Sequence, residues 1–441
     1  MKKVLNLALL FLCMGVLAQD AALKARIEVL QAKAATYMFS KQMENGAWGV
    51  SMPGGGFRGG RGGGAPGVGG EGNPPGRPGF GDGKGPGGFG GRPGFGDGKG
   101  PGGFGGRPGG WKPGMAMANP AITSLAIIGL MDTTAGKTAE GKAKLDKALD
   151  YVVSCKQADR TIMEPRDRRT YPVYSTSICL LALAKANRPQ DMSVIRAARD
   201  YLLSVDPTPE DSDVENPPSA GFGYGKRQRA DLNNTAWVLE ALAATDHLDR
   251  EPFSKDPEKA KKAEIAWDKA LAFITSCQNL AETNQSAWVK SAPAEDKGGF
   301  IYCPEDALRE NADAQMLRSY GSMTYSGLKS LIYARVKPDD VRVVNAKEWI
   351  KRYYTLEENP GVGQAGYYYY LHTFGKCLGV LKMDTIVDAK GNSHDWRAEL
   401  VEAAEKRQAP DGSWTNDKSG RWWENMTELA TSYVLMALGN I

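Results

Sequence analysis

Histidine is scarce in this chain: 441 residues contain three, His247, His372 and His394. None stands at metal-ligand spacing from another histidine or from a cysteine, so no metal site is expected and no motif asks for a cofactor. Cysteine is also sparse. Six occur, and apart from Cys13 the remaining five (Cys155, Cys179, Cys277, Cys303 and Cys377) are an odd number that cannot all pair. Cys179 and Cys377 fall in apolar helical stretches, where a thiol acts as a small apolar side chain. Long apolar runs are missing except from Leu5 to Leu17, which is too short for a membrane span. Strand signals are few. No excess of one charge marks the main body: 55 Lys and Arg stand against 51 Asp and Glu, for a net charge of +4.

What is present begins with a leader. Lys2 and Lys3 precede the Leu5–Leu17 run, and small residues end it at Ala18, the order of a cleavable signal peptide over residues 1–18. The mature chain, 19–441, is then expected outside the cytoplasm, in the periplasm or beyond the cell. Residues 53–114 form a Gly- and Pro-rich insertion in which GRPGFGDGKGPGGFG occurs at Gly76 and Gly91 and begins again at Gly106. Such a segment cannot repay its ordering entropy, so a disordered loop is expected. Eight Arg and Lys against three Asp and Glu give it +5, which leaves about −1 for the rest of the chain. The basic excess is therefore confined to the insertion, and nucleic acid is not expected as a partner. A protein contact through this loop fits its composition better.

The remainder is built from repeats. TSLAIIGL at Thr123 returns as TSICLLAL at Thr176, TAWVLEAL at Thr235, TYSGLKSL at Thr324 and TSYVLMAL at Thr431. Each copy opens with Thr, ends on Leu and keeps a small residue before that Leu, so one helical face is specified repeatedly. A second signal locks to the first: Gln42, Gly46 and Trp48 match Gln408, Gly412 and Trp414 as Q-x-x-x-G-x-W. Weaker copies lie at Gly221 to Tyr224 and Gly298 to Phe300, with Cys155-Lys156-Gln157 and Cys277-Gln278 marking helix ends. Apolar spacing predicts six helix pairs: 20–43 with 120–132, 140–157 with 172–187, 190–205 with 231–246, 258–279 with 319–335, 340–356 with 366–382, and 394–408 with 426–439. The fifth inner segment lacks the Thr pattern and reads GYYYYLHTFGKCL. No such pair buries its apolar face alone, so the pairs must pack side by side.

These turns between paired helices resemble the repeat of squalene and hopene cyclases and of protein prenyltransferase β subunits. The resemblance covers most of the mature chain and implies an all-α fold, an α/α toroid of six inner and six outer helices with a ligand cavity at its centre. The segment Asp231-Leu232-Asn233-Asn234-Thr235-Ala236 is similar to the D-x-D-D-T-A acid motif of the cyclases, but amides stand at Asn233 and Asn234 where carboxylates are needed, and only Asp231 carries over. Asp also caps helices ahead of apolar runs. For the prenyltransferases, Tyr320-Gly321-Ser322 and Asn425-Met426-Thr427-Glu428 stand where zinc ligands would be. Both active sites are degenerate.

Aromatic and polar residues gather before the inner helices: Tyr224, Arg229, Tyr302, Asp306, Arg318, Tyr320, the run Tyr367 to Tyr370, His372, Trp422, Trp423 and Glu424. Three classes of function fit them. The first is an exported protein that binds an apolar or polymeric ligand, with Tyr224, Arg229, Asn233, Asn234, Tyr302, Asp306, Arg318, Trp422, Trp423 and Glu424 as candidate contacts. The second is a polysaccharide lyase or hydrolase in which Tyr320, Tyr368 and His372 act as acid and base beside Arg229. The third is an atypical isoprenoid cyclase using Asp231 or Asp306. The ligand is expected to be a small apolar molecule or a carbohydrate.

Overall fold

A computed structural model describes residues 2–50, 117–164, 171–205, 221–225, 229–308 and 318–441, with side chains from Asp20 onward in the first of these segments. The chain divides into one unit of Met1–Val50 with Met117–Ile441 and a second of Ser51–Ala116. The expected disordered insertion at 53–114 lies outside the described residues.

The first unit is helical and alternates outer and inner helices. The outer ones are α1 (Lys2–Ser40), α4 (Ala139–Ser154), α6 (Met192–Ser204), α8 (Pro257–Ser276), α12 (Val341–Arg352) and α14 (Trp396–Glu405). The inner ones are α2 (Pro120–Leu130), α5 (Pro172–Ala186), α7 (Leu232–Ala244), α11 (Gly321–Tyr333), α13 (Tyr367–Val380) and α15 (Thr427–Leu438). Short helices α3 (Thr134–Lys137), α9 (Ala287–Ser291) and α10 (Pro304–Leu308) lie in the connections. The described residues also contain short 3-10 turns and two small antiparallel ladders, Gly49–Val50 with Met117–Ala118 and Ile386–Val387 with Ser393–His394.

Burial separates the two layers. In α4, Leu145, Ala148, Leu149 and Val152 are buried while Lys142, Asp146, Lys147 and Asp150 face solvent, the pattern of a helix covered on one side. All eleven residues of α2 are buried, because it has an outer helix behind it, inner helices on both flanks and the hub in front. Each inner helix packs against the next in the order α2, α5, α7, α11, α13 and α15, and α15 packs against α2. The ring is closed. At that seam the Gly129 Cα faces the Leu435 side chain so closely that an added Cβ would sit 2.8 Å from it.

The turn motif explains the closure. Gln42 Nε2 donates to the carbonyl of Gly46 in its own turn and to that of Lys144 in the next outer helix, both at 2.9 Å. Gln408 does the same to Gly412 and Leu30, joining the last repeat to the first. Gln278 bonds Gly298 and Arg342, so Gln278 and Gly298-Gly299-Phe300 are two halves of one turn split by the excursion 279–297. Gly46, Gly298 and Gly412 have φ of +88°, +91° and +90°, and a Cβ on any of them would strike the neighbouring outer helix at 2.5 Å or less. Only glycine meets both demands.

The repeated Thr is the second half of the same device. Its buried hydroxyl accepts the backbone N–H of the turn: Trp48 to Thr123, Ile162 to Thr176, Phe222 to Thr235, Phe300 to Thr324 and Trp414 to Thr431, at 2.9–3.1 Å. Trp48 and Trp414 then wedge against their outer helices, donating Nε1–H to Met38 and Ala404 carbonyls. The fifth inner helix uses another device, with the Tyr367 hydroxyl donating to the Leu356 carbonyl at 2.6 Å. The five cysteines from Cys155 to Cys377 are buried and unbonded to one another. No helix of the described residues is long and apolar enough to cross a membrane.

Thr431→Val keeps the side-chain shape but leaves the buried Trp414 N–H without its acceptor, so urea unfolding should show a loss of about 1–3 kcal/mol. Gly412→Ala adds a disallowed backbone angle to a collision with Lys33 and should cost about 2 kcal/mol or more. Unchanged midpoints for both would contradict this account of the turn.

Candidate functional site

Helical periodicity fixes which residues meet at the centre. Counting the repeated Thr as position one, positions three, six and ten share the hub face, spaced by three and four residues. The first tier is Leu125, Ile178, Trp237, Ser326, Tyr369 and Tyr433; the second is Ile128, Leu181, Glu240, Lys329, His372 and Met436. Asp132, Lys185, Tyr333, Lys376 and Asn440 belong to the third. Contacts follow the tiers: the Tyr369 hydroxyl meets the Ser326 hydroxyl at 3.4 Å and the Tyr369 ring lies 5.4 Å from that of Tyr433. In the second tier, Lys329 Nζ reaches Glu240 at 2.6 Å.

The hub is no through-channel. His372 is sandwiched between Trp237 and Tyr433, with ring centroids 5.4 and 5.9 Å away and planes inclined by 8° and 16°. Trp237 is on α7 and Tyr433 on α15, opposite members of the ring, so this stack bridges the centre. Below it Glu240, Lys329 and Lys376 form a charge cluster. Above it, at the N-terminal ends of the inner helices, the loops bring a second group together.

That group centres on Asp231. The loop before α7 bonds its backbone and the loop before α11 bonds that of the next residue: Asp231 N–H donates to Phe222 O and Leu232 N–H to Tyr302 O. Asp231 Oδ1 caps α7 by accepting the Asn234 N–H at 2.8 Å, and Oδ2 lies 2.6 Å from Asn234 Nδ2. The side chain is 2% exposed. Burial raises its pKa to about 6, against the opposing pull of the Asn234 bonds, the Tyr302 phenol and the Arg229 charge. Burial and the Asp231 charge in turn lift Tyr224 to about 12 and Tyr302 higher still, so both phenols stay protonated at neutral pH.

The first repeat shows what capping alone requires. Asn119 caps α2 at the same place, its Oδ1 accepting the Ile122 N–H at 3.0 Å. A neutral amide suffices there. A buried carboxyl is the more costly cap, and its distinguishing property is a proton that can leave.

The other candidate residues divide between places. Arg229 pairs with Asp306 at the mouth, and both are partly exposed. Tyr320 lies nearly parallel to Trp422, ring centroids 6.2 Å apart, with the Arg421 guanidinium 4.7 Å from the Trp422 centroid. Trp422 and Trp423 are both exposed, at positive φ of 58° and 68°. Asn233 is half-buried on the first turn of α7. Glu424 is buried and caps α13, accepting the N–H groups of Tyr368 and Tyr369 and the Asn416 amide; burial raises it to about 7 while these donors pull it down. Tyr368 donates its hydroxyl to the Thr415 carbonyl. Arg318 pairs with Asp296 and Glu295. His372 is brought to the stack and to the cavity beneath it, at the opposite end from the mouth. Tyr320, Tyr368 and His372 therefore do not meet as one acid–base group, whereas Asp231, Tyr224, Tyr302, Arg229 and Asp306 do.

Trp237, Glu240, Lys329 and Lys376 are central residues that the motifs did not single out. Their signal was available, since a Glu and a Lys occupy the same sixth position in TAWVLEAL and TYSGLKSL, where the other Thr copies carry Ile, Leu or Met.

No family model matches the sequence, and no curated protein does. Among solved structures it is similar to a possible member of the GH105 family from Salmonella enterica subsp. enterica serovar Paratyphi A, at 10% identity over 74% of this chain and 85% of that one, with a TM-score of 0.43. It is similar also to the type II terpene cyclase MstE from Scytonema in complex with geranylgeranyl dihydroxybenzoate, at 13% identity over 73% and 98%, with a TM-score of 0.30. A third is a protein from Actinoplanes, at 13% identity over 72% and 99%, with a TM-score of 0.29. Likenesses this distant assign the ring neither a reaction nor a ligand.

Proposed function

We propose that the N-terminal mouth of the ring is a carbohydrate site in which Asp231 is the general acid of a glycoside-cleaving reaction. The observation that carries this reading is a carboxyl buried at a helix cap where an amide would serve, with burial raising its pKa to about 6. A neutral acid at that pH can protonate the leaving glycosidic oxygen while a water molecule gives its hydroxyl to the anomeric carbon and its proton back to Asp231. Tyr224, Tyr302 and Arg229 offer hydroxyl and guanidinium donors to sugar oxygens, and Trp422, held between Tyr320 and Arg421, leaves an exposed aromatic edge at the rim. The cyclase alternative is weakened by two features. Asn233 and Asn234 replace the supporting carboxylates, and Lys329 and Lys376 in the hub would repel a carbocation. Retention of sugar binding without turnover is the signature of the binding-protein alternative.

Asp231→Asn separates these outcomes because the amide keeps the cap, as Asn119 does for α2. With oligosaccharide mixtures as substrate, the wild-type ring should release reducing ends and the variant should lose about 10²–10⁴-fold in rate while remaining folded. Binding without turnover in both proteins would leave a sugar-binding ring; no interaction with any oligosaccharide would remove the proposal.

The pH dependence has a definite sign. Asp231 is raised above its unfolded value, so its neutral form predominates below about 6 and is lost as pH rises through that value. Turnover should therefore fall on the alkaline side with a midpoint near 6. The same group stabilises the fold relative to its ionised form below its unfolded pKa, near 4, and that contribution disappears as pH passes 6. A rate that rises through this range would contradict the assignment.

The exported location belongs to the same proposal. Ring closure uses Leu23, Arg26, Leu30 and Ala34, all beyond the cut at Ala18, and Arg26 holds Glu405 through two bonds of 3.0 and 2.6 Å. Protein recovered outside the cytoplasm should begin at Gln19 by mass spectrometry. Recovery only from the cytosol with Lys2 and Lys3 intact would refute export.

A further inference from the structure

The lower half of the hub is walled off from the Asp231 mouth by the Trp237–His372–Tyr433 stack and contains a cavity of about 60 Å³ at the C-terminal ends of the inner helices. Glu240, His372, Lys376, Lys185 and Asp132 line it. At roughly 10–15 Å³ per enclosed water, that volume suits a few water-sized groups or one small ion.

His372 points to a ligand. It is 1% exposed, its faces are covered by Trp237 and Tyr433, and neither ring nitrogen meets a hydrogen-bonding partner in the protein. A buried imidazole with both edges unsatisfied costs free energy that a partner in the cavity would recover. Burial lowers its pKa to about 3, and the ammonium groups of Lys329 and Lys376 add to this, so the ring is neutral and one nitrogen carries an N–H donor.

The charges say which sign of ligand. Lys185 is matched by Asp132 at 2.5 Å. Glu240 alone serves two ammonium groups, Lys329 at 2.6 Å and Lys376 at 3.1 Å. Burial by itself would raise the Glu240 pKa, but these two lysines reverse that and hold it ionised. Lys185 and Lys376 line the cavity with Asp132 and Glu240, and Lys329 stands behind Glu240, so three ammonium groups share two carboxylates and the cluster keeps one net positive charge. Lys376, partly exposed at the cavity wall, presents that charge.

We propose that this lower cavity binds a small carboxylate monoanion, received by the Lys376 ammonium and the His372 N–H. One negative charge completes the cluster, and a two-oxygen planar group can bond both donors at once. A dianion would overcompensate, and a metal cation would meet Lys185 and Lys376 in the wall.

Three histidines in the whole chain make the test direct. In the full mature protein labelled with ¹⁵N-histidine, acetate is titrated at pH 7 and constant chloride, with His247→Gln and His394→Gln assigning the other two rings. The expected result is a saturable shift of the His372 ring nitrogens, with His247 and His394 unmoved. Lys376→Met should weaken the apparent acetate affinity by about tenfold or more, and Lys376→Gln serves as a second variant should the first fail to fold. No shift at His372, or an identical response to sodium chloride, would show that the cavity takes no carboxylate, and an unchanged affinity in a folded Lys376 variant would overturn the assignment of Lys376 as its receiver. Because the readout lies below the stack, it does not depend on sugar turnover at Asp231.

Discussion

The buried hydrogen bond from a turn N–H to a threonine hydroxyl is the contact on which this ring depends. It occurs in five of the six repeats and fixes each inner helix against the turn that ends the preceding outer helix. Once that register is set, the phase of the inner helix is set too. Positions three, six and ten then face the hub, and every property of the centre follows from what those positions carry. The glutamine of the same turn reaches sideways to the next outer helix, so one short motif controls both the fit of a pair and the link between pairs. Closure needs Gln408 and Gly412 to meet α1 as Gln42 and Gly46 meet α4.

The centre is largely apolar on one side, where Asp132 and Lys185 close the lower rim, and polar on the other. On one side, α2 and α5 contribute Leu125, Ile128, Ile178 and Leu181; on the other, α7, α11 and α13 contribute Glu240, Lys329, His372 and Lys376. The charged residues are accommodated because they neutralise one another almost completely, and Trp237 lies within 5.6 Å of the Lys329 ammonium. The aromatic stack then divides the hub into an acidic, phenol-lined mouth and a lysine-rich lower cavity. His372 lines the lower cavity.

Much of the architecture was legible because its determinants are local. A helix that must approach its neighbours closely needs a small residue at a fixed place, and a turn of positive φ pressed against another helix needs glycine; both leave marks at constant spacing. The fifth inner helix was less legible because a phenol, Tyr367, replaces the threonine device. The fourth turn was split by residues 279–297, so Gln278 and Gly298 read as separate marks although they bond each other. At the site, Asp231, Tyr224 and Arg229 precede the third inner helix and Tyr302 and Asp306 the fourth, and the Leu232–Tyr302 backbone bond joins the two segments. Arg318, Tyr368 and His372 flank helix starts too, but their directions depend on tertiary partners: Asp296 draws Arg318 away, Thr415 takes the Tyr368 hydroxyl, and the period of α13 turns His372 into the lower hub.

The functional account stands on the protonation state of one buried carboxyl, and that state can be read without any substrate. Selective ¹³C labelling of aspartate, with Asp231 assigned by loss of its signal in Asp231→Asn, gives the titration of the carboxyl in the intact ring. A midpoint near pH 6 is the predicted result. A midpoint at about 4, the ordinary value for an aspartate in water, would make Asp231 a helix cap and nothing more.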